Sequence, residues 1–260
     1  MSIRVGRAGL LVVPTLAWLV VATAWAQPPK APQAPQAPPV IPPHVVDCNP
    51  KPFAANVSAD LKEISVTFDR PLAPTTGFVG LRFLGLDPTA KDAQPKWDAA
   101  GTTCALPVQL APDVTYALSV NTSKERGFAD TQGTPAVPFA WVFATGARTD
   151  DQLPPRVVKS DPPPGATDAN FRLRKISVTF SRPVAPGDFS WVQLRGCGEY
   201  PGVRGGALTL SDDRLTATID VRLNFGTVYA LSINDLQYPG YKDTFGRPVV
   251  PYGWWFKTAD

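Results

Sequence analysis

Eleven residues, ISVTFDRPLAP from Ile64 to Pro74, return as ISVTFSRPVAP from Ile176 to Pro186 with nine letters unchanged. The match is not isolated. Val45-Val46 recurs as Val157-Val158, and Tyr116-Ala117-Leu118-Ser119-Val120 recurs as Tyr229-Ala230-Leu231-Ser232-Ile233. Asp130-Thr131-x-Gly133-x-Pro135 recurs as Asp243-Thr244-x-Gly246-x-Pro248, and Trp141, Phe143 and Thr145 recur as Trp254, Phe256 and Thr258. Order is kept at offsets of 112 and 113, so one indel relates the halves. This is a tandem duplication, and it restricts the chain to two copies of one small fold. The copies are expected at 44–147 and 154–260. The joint between them, Arg148 to Leu153, is short and polar and runs into Pro154-Pro155, which predicts little freedom between the domains.

The repeated letters read as strands. In ISVTF, Ile64, Val66 and Phe68 fall on one face and Ser65 and Thr67 on the other, and β-branched and aromatic residues dominate. The run stops at Arg70-Pro71, because proline cannot donate to a central ladder. TYALSV and PFAWVFAT alternate in the same way, with Trp141 and Phe143 inward. Weaker strands are expected at Val79–Leu84, Cys104–Val108, Trp191–Leu194 and Leu215–Val221, with a hairpin turn at Ser211-Asp212-Asp213. Thirty prolines in 260 residues argue against helices. About seven short strands per copy predict an all-β chain of two tandem Ig-like β-sandwich domains.

The first residues stand outside this pattern. Arg4 and Arg7 precede an apolar run, Ala8 to Ala26, that ends in Ala24-Trp25-Ala26. That is the layout of a signal peptide over residues 1–26; a retained membrane anchor is the competing reading. No cysteine follows the run directly, which argues against a lipoprotein. Removing the signal takes away two arginines and no acid, so the formal charge falls from +3 to +1. Such a balance gives no electrostatic case for nucleic acid or for stable membrane association. Residues 27–43, QPPKAPQAPQAPPVIPP, hold eight prolines and read as a disordered, polyproline-like linker that spaces the domains from a surface. The layout places the protein outside the cytoplasm, secreted or periplasmic in the cell envelope.

The combined pattern resembles the bacterial Ig-like domain of the SbsA type, named for S-layer proteins. In copy one the resemblance rests on Val46, Pro50, Ile64–Phe68, Pro71, Tyr116, Asp130, Gly133 and Thr145. In copy two it rests on Val158, Pro163, Ile176–Phe180, Pro183, Tyr229, Asp243, Gly246 and Thr258. It implies an Ig-like sandwich used as a spacer or adhesion module in envelope and secreted proteins, with no enzyme activity and no cofactor. The family usually carries Asn after the loop glycine. Thr134 and Arg247 stand there instead, which leaves the turn geometry open.

Residues for chemistry are sparse. His44 is the one histidine and reads as a solvated linker residue, so a Ser-His-Asp or Cys-His arrangement lacks its base. Neither C-x-x-C nor H-x-x-x-H occurs, which argues against zinc. Calcium at Asp150-Asp151 has no spaced carboxylate loop behind it. Three glutamates, Glu63, Glu125 and Glu199, leave little material for a paired-carboxylate site.

Cys48 and Cys104 are both absent from copy two, where Ser160 and Ala217 stand. In an exported protein this favours a disulfide worth roughly 4 kcal/mol, against two buried thiols on strands too far apart to bond. Cys197 is left over, with Gly85 as its counterpart. The aromatic residues outside the repeat, Trp255, Tyr238, Tyr241 and Tyr200, are candidate ligand-facing rings, with ordinary packing as the competing reading. The expected partner is an envelope protein or a cell-wall polysaccharide.

Overall fold

The computed structural model describes residues 39–203 and 208–260. The expected signal peptide and most of the proline-rich linker lie outside the described residues. Copy one contributes β1 (Val45–Asn49), β2 (Glu63–Phe68), β3 (Phe78–Gly80), β4 (Lys96–Trp97), β5 (Thr103–Pro107), β6 (Thr115–Val120) and β7 (Phe139–Ala144). Copy two contributes β8 (Val157–Asp161), β9 (Lys175–Phe180), β10 (Trp191–Gln193), β11 (Gly202–Val203), β12 (Thr209–Leu210), β13 (Thr216–Arg222), β14 (Val228–Ile233) and β15 (Tyr252–Lys257). The described residues are all-β, two tandem Ig-like sandwiches.

In copy one the order β1-β2-β5-β4 forms one sheet and β7-β6-β3 lies opposite. Copy two repeats this with β8-β9-β13-β11 against β15-β14-β10. The alternation read from ISVTF is realised: Ile64, Val66 and Phe68 are buried, and so are Ile176, Val178 and Phe180. They pack on Tyr116, Leu118, Trp141 and Phe143 in one core and on Tyr229, Leu231, Trp254 and Phe256 in the other. The expected strand Val79–Leu84 stops at Gly80, because the chain turns there: Leu84 N–H bonds Leu81 C=O at 2.8 Å, and the Leu81 side chain is buried. The Ser211-Asp212-Asp213 hairpin is present, closed by Arg214 N–H on Ser211 C=O at 2.8 Å.

The two three-stranded sheets are not separate. Tyr252 of β15 pairs with Phe139 of β7, which joins them into one six-stranded sheet, β10-β14-β15-β7-β6-β3. Gly253 allows this approach. A Cβ there would lie 2.5 Å from Pro138 C=O, and Ala140 occupies the matching place in copy one. The end of the proline-rich stretch joins the fold as well: Pro43 C=O accepts from Val137 N–H at 2.9 Å, and Ile41 packs on an apolar cluster containing Val137 and Trp255.

The Asp-x-x-Gly loops settle the open question about Thr134 and Arg247. Asp130 Oδ1 accepts from Gln132 N–H and Thr134 N–H, both at 2.9 Å, while Gly133 takes φ +85°. Asp243 Oδ1 accepts from Phe245 N–H at 2.9 Å and Arg247 N–H at 3.0 Å, with Gly246 at φ +79°. The turn itself uses only the backbone N–H of the residue after the glycine, so it closes with Thr or Arg; the Arg247 guanidinium adds a bond to the second Asp243 oxygen at 2.8 Å.

Candidate functional site

The three cysteines are free and buried, which corrects the expected Cys48–Cys104 disulfide. The reason lies in strand order. Cys48 on β1 faces Val66 on β2, and Val66 faces Cys104 on β5. A full strand separates the two sulfurs, and neighbouring strands already stand ~4.8 Å apart. The carbonyl at Pro50 bears on the change at Cys48 alone; nothing in the structure explains Ala217 in place of Cys104. In copy one Trp141 Nε1–H donates to Pro50 C=O at 2.8 Å. In copy two the Ser160 hydroxyl, standing where Cys48 stands, donates to Pro162 C=O at 3.0 Å, and Trp254 Nε1 has no partner among the described residues. Pro162, not Pro163, is thus the counterpart of Pro50; both follow cis peptide bonds. Cys197 answers to Leu84 rather than Gly85. The ladders set the offset at 113 here, since Phe78 pairs with Val120 as Trp191 pairs with Ile233.

Burial pushes all three thiols up to about 12. Native protein at pH 8 is therefore expected to resist thiol reagents, with three equivalents reacting only after denaturation; a fast-reacting thiol in the native state counts against this packing. The sign for stability follows. The unfolded thiols ionise near pH 9 and the folded ones do not, so the native state holds more protons and loses stability as pH rises above 9.

Of the four candidate rings, two are structural. Trp255 is 5% exposed; it sits between copies against Val137, Cys197 and Val228, with the His44 ring 5.7 Å away. His44 is accordingly half-buried in the fold, its backbone N–H bonded to Asp69 at 2.8 Å, and is not a solvated linker residue. Tyr241 is 1% exposed in the second core, its hydroxyl accepting from Trp191 Nε1–H at 2.7 Å, and burial pushes that phenol up. Tyr200 is half-buried and donates to Trp191 C=O at 3.3 Å. Tyr238 alone is open, at 57%.

Further contacts cross between copies. Ser123 N–H donates to the buried carboxylate of Asp235 at 3.0 Å, Arg126 to Arg195 C=O at 3.1 Å, and the Cys197 thiol to Pro135 C=O at 3.4 Å. The Arg156 guanidinium lies 4.7 Å over the Phe53 ring. At the joint, Asp150 pairs with Arg156 at 2.6 Å, and Asp151 C=O accepts from Arg182 at 3.0 Å and Arg247 at 2.6 Å. Arginines thus hold the joint where calcium was considered.

Beside these contacts lies a cleft of about 920 Å³. Its walls are the loop after β6 (Ser123, Lys124, Arg126), strand β10 with its flanks, and the loop bearing Tyr238 and Lys242. Lys124, Arg126, Arg195 and Lys242 line it against one carboxylate, Asp188. This is the candidate site, and the repeat conceals it, because three separated segments build it.

One residue type that the sequence reading passed over recurs with the strands. Asn121 and Asn234 are fully buried at φ +55°. Asn121 Nδ2 donates to Phe128 C=O and Ala136 C=O, and its Oδ1 accepts from Phe128 N–H, at 2.8–2.9 Å. Asn234 makes the same three bonds, all 2.9 Å, with Tyr241 and Val249. The signal was present: YALSV and YALSI are each followed by Asn.

Curated proteins yield no match to the chain. Among solved structures, surface layer protein SbsC, domains 1–6, is 10% identical at a TM-score of 0.27, covering 85% of this chain and 26% of that one; the chain thus spans about a quarter of it. Dpr2 Ig1–Ig2 in complex with DIP-Theta Ig1–Ig3 is 12% identical at 0.26, covering 86% and 100%. SGBP-B from a complex xyloglucan utilization locus in Bacteroides uniformis is 10% identical at 0.22, covering 79% and 49%. A model described as the bacterial Ig-like domain matches residues 39–145 and again residues 151–258. The chain therefore belongs to the bacterial Ig-like domain family, in two tandem copies.

Proposed function

We propose that this is an exported, non-catalytic protein of the bacterial cell envelope, acting as a rigid two-domain spacer or adhesion module of the SbsA type. The observation that carries it is the seam: a shared six-stranded sheet, an apolar cluster around Trp255 and three cross-copy hydrogen bonds. Two domains on a free tether would not bury a tryptophan between them. The signal layout and the proline-rich stretch support export and a tether. The partner in this reading is an envelope protein, contacted through surfaces where the copies differ.

The test is made on protein recovered from the envelope fraction. Its N-terminus is expected at Gln27. Backbone ¹⁵N relaxation is expected to give one rotational correlation time for both copies. Two independent times would end the spacer reading, because the copies would then move as beads on a string.

A further inference from the structure

We infer that the basic cleft of copy two takes an extended acidic peptide segment of a partner protein, which adds as a strand to the free edge of β10. The inference deepens the interaction-module reading above and rests on it only in treating the cleft as a binding surface.

Strand β10 is the outer strand of the six-stranded sheet among the described residues, bonded to β14 on one side. Asn234 N–H bonds Ser190 C=O and Leu194 N–H bonds Ala230 C=O. In an antiparallel ladder the bonded pairs alternate, so Trp191 and Gln193 turn their main-chain groups away from β14. Tyr200 takes the Trp191 carbonyl, which leaves Trp191 N–H and both main-chain groups of Gln193 as a template unfilled by the described residues. An extended peptide fits that template.

Charge selects the kind of peptide. Lys124, Arg126, Arg195 and Lys242 surround the edge, and Asp188 is the one carboxylate on the described walls. Part of this lining arises where the copies diverge: Lys242 stands for Ala129 and the open ring Tyr238 stands for Glu125, whereas Arg195 keeps the arginine of Arg82. Copy one also lacks room for such a cleft. Gly77 is packed so that a Cβ would lie 2.9 Å from Gly127 N, whereas copy two carries Ser190 there. Ser190 is 6% exposed and lines the cleft, and its hydroxyl has no partner among the described residues. A buried hydroxyl without a partner is unfavourable until something accepts its proton.

A polysaccharide fits less well. Sugar sites need an open ring platform and many neutral polar groups, whereas on the described walls Tyr238 is the one exposed ring and Phe189 and Trp191 are half-buried. The chain's own proline-rich stretch is also a poor occupant. Residues 27–43 contain no acid, and proline has no N–H for a ladder.

The test titrates the purified exported protein with a blocked peptide of alternating valine and glutamate, read by tryptophan fluorescence and by the amide shifts of Trp191 and Gln193. Polygalacturonate and a valine–glutamine peptide are the comparison arms. Binding of the acidic peptide alone is expected, weakening with added salt. Lys242→Glu and Lys124→Glu are each expected to weaken it at least tenfold. Gln193→Pro, which removes only an outward N–H, is expected to weaken it similarly while the unfolding midpoint holds. Binding of polygalacturonate without the peptide would overturn the inference in favour of a polysaccharide. No peptide binding at millimolar concentration, or binding that ignores both lysine reversals and Gln193→Pro, would also overturn it. The relaxation measurement above is unaffected by these outcomes, so the spacer reading can stand if the peptide fails.

Discussion

Replacing Asn234 by alanine is expected to destabilise the second copy by about 4 kcal/mol, close to the whole stability of a small domain. Two causes add. The side chain satisfies two buried carbonyls and one buried N–H, and each loses its partner at roughly 1–3 kcal/mol. The backbone sits at φ +55°, where alanine is worse than asparagine by about 1 kcal/mol. Urea unfolding followed by fluorescence measures the sum. Asn234→Gly separates the parts, because glycine accepts the dihedral and still lacks the bonds; it should recover only the smaller share. Asn121→Ala should do the same to copy one through Phe128 and Ala136. A loss under 1 kcal/mol at Asn234 would mean that the loop finds other partners.

The second large effect is expected from Trp255→Ala, at roughly 3–5 kcal/mol, the usual cost of deleting a buried tryptophan. Here the vacated space lies between copies, lined by Val137, Leu194, Cys197 and Ala230. The loss should therefore appear as uncoupling as well as destabilisation. One cooperative unfolding transition should split into two, and the shared correlation time should separate. Phe245→Ala is the control. That ring is 82% exposed and should change stability by less than about 0.5 kcal/mol. A Trp255 variant that unfolds in one unshifted step would deny the seam its role.

Trp255 also shows where sequence reading stopped. Its alternation with Trp254 and Phe256 placed it on the outer face of its sheet, and an outer face in an isolated sandwich meets water. The first copy, through Val137 and His44, covers that face, and no period-2 pattern reports what covers a sheet from outside. The cysteines make the same point about strand order. Their joint absence from copy two suggested a bond, but β2 runs between β1 and β5, and at the first of the two positions the Ser160 hydroxyl bonds the Pro162 carbonyl instead. Asn121 and Asn234 were legible as a repeat and illegible as a brace, because their acceptors lie 7 and 15 residues away in loops that show no pattern. The cleft was least legible. Lys124, Gln193 and Lys242 meet only after both sandwiches have formed and docked.

The sequence by itself determined the duplication, the strand faces of ISVTF and YALS, and the inward Trp141 and Trp254. These depend on neighbours one or two residues apart in the chain, and a pleated strand turns that spacing directly into faces. Only the tertiary structure decided that the copies share a sheet, that the thiols stay apart, that Trp255 and Tyr241 are buried while Tyr238 is open, and that a basic cleft flanks β10. Each depends on which distant segments come to lie side by side, and burial and charge at such places are set by the whole packing rather than by local pattern.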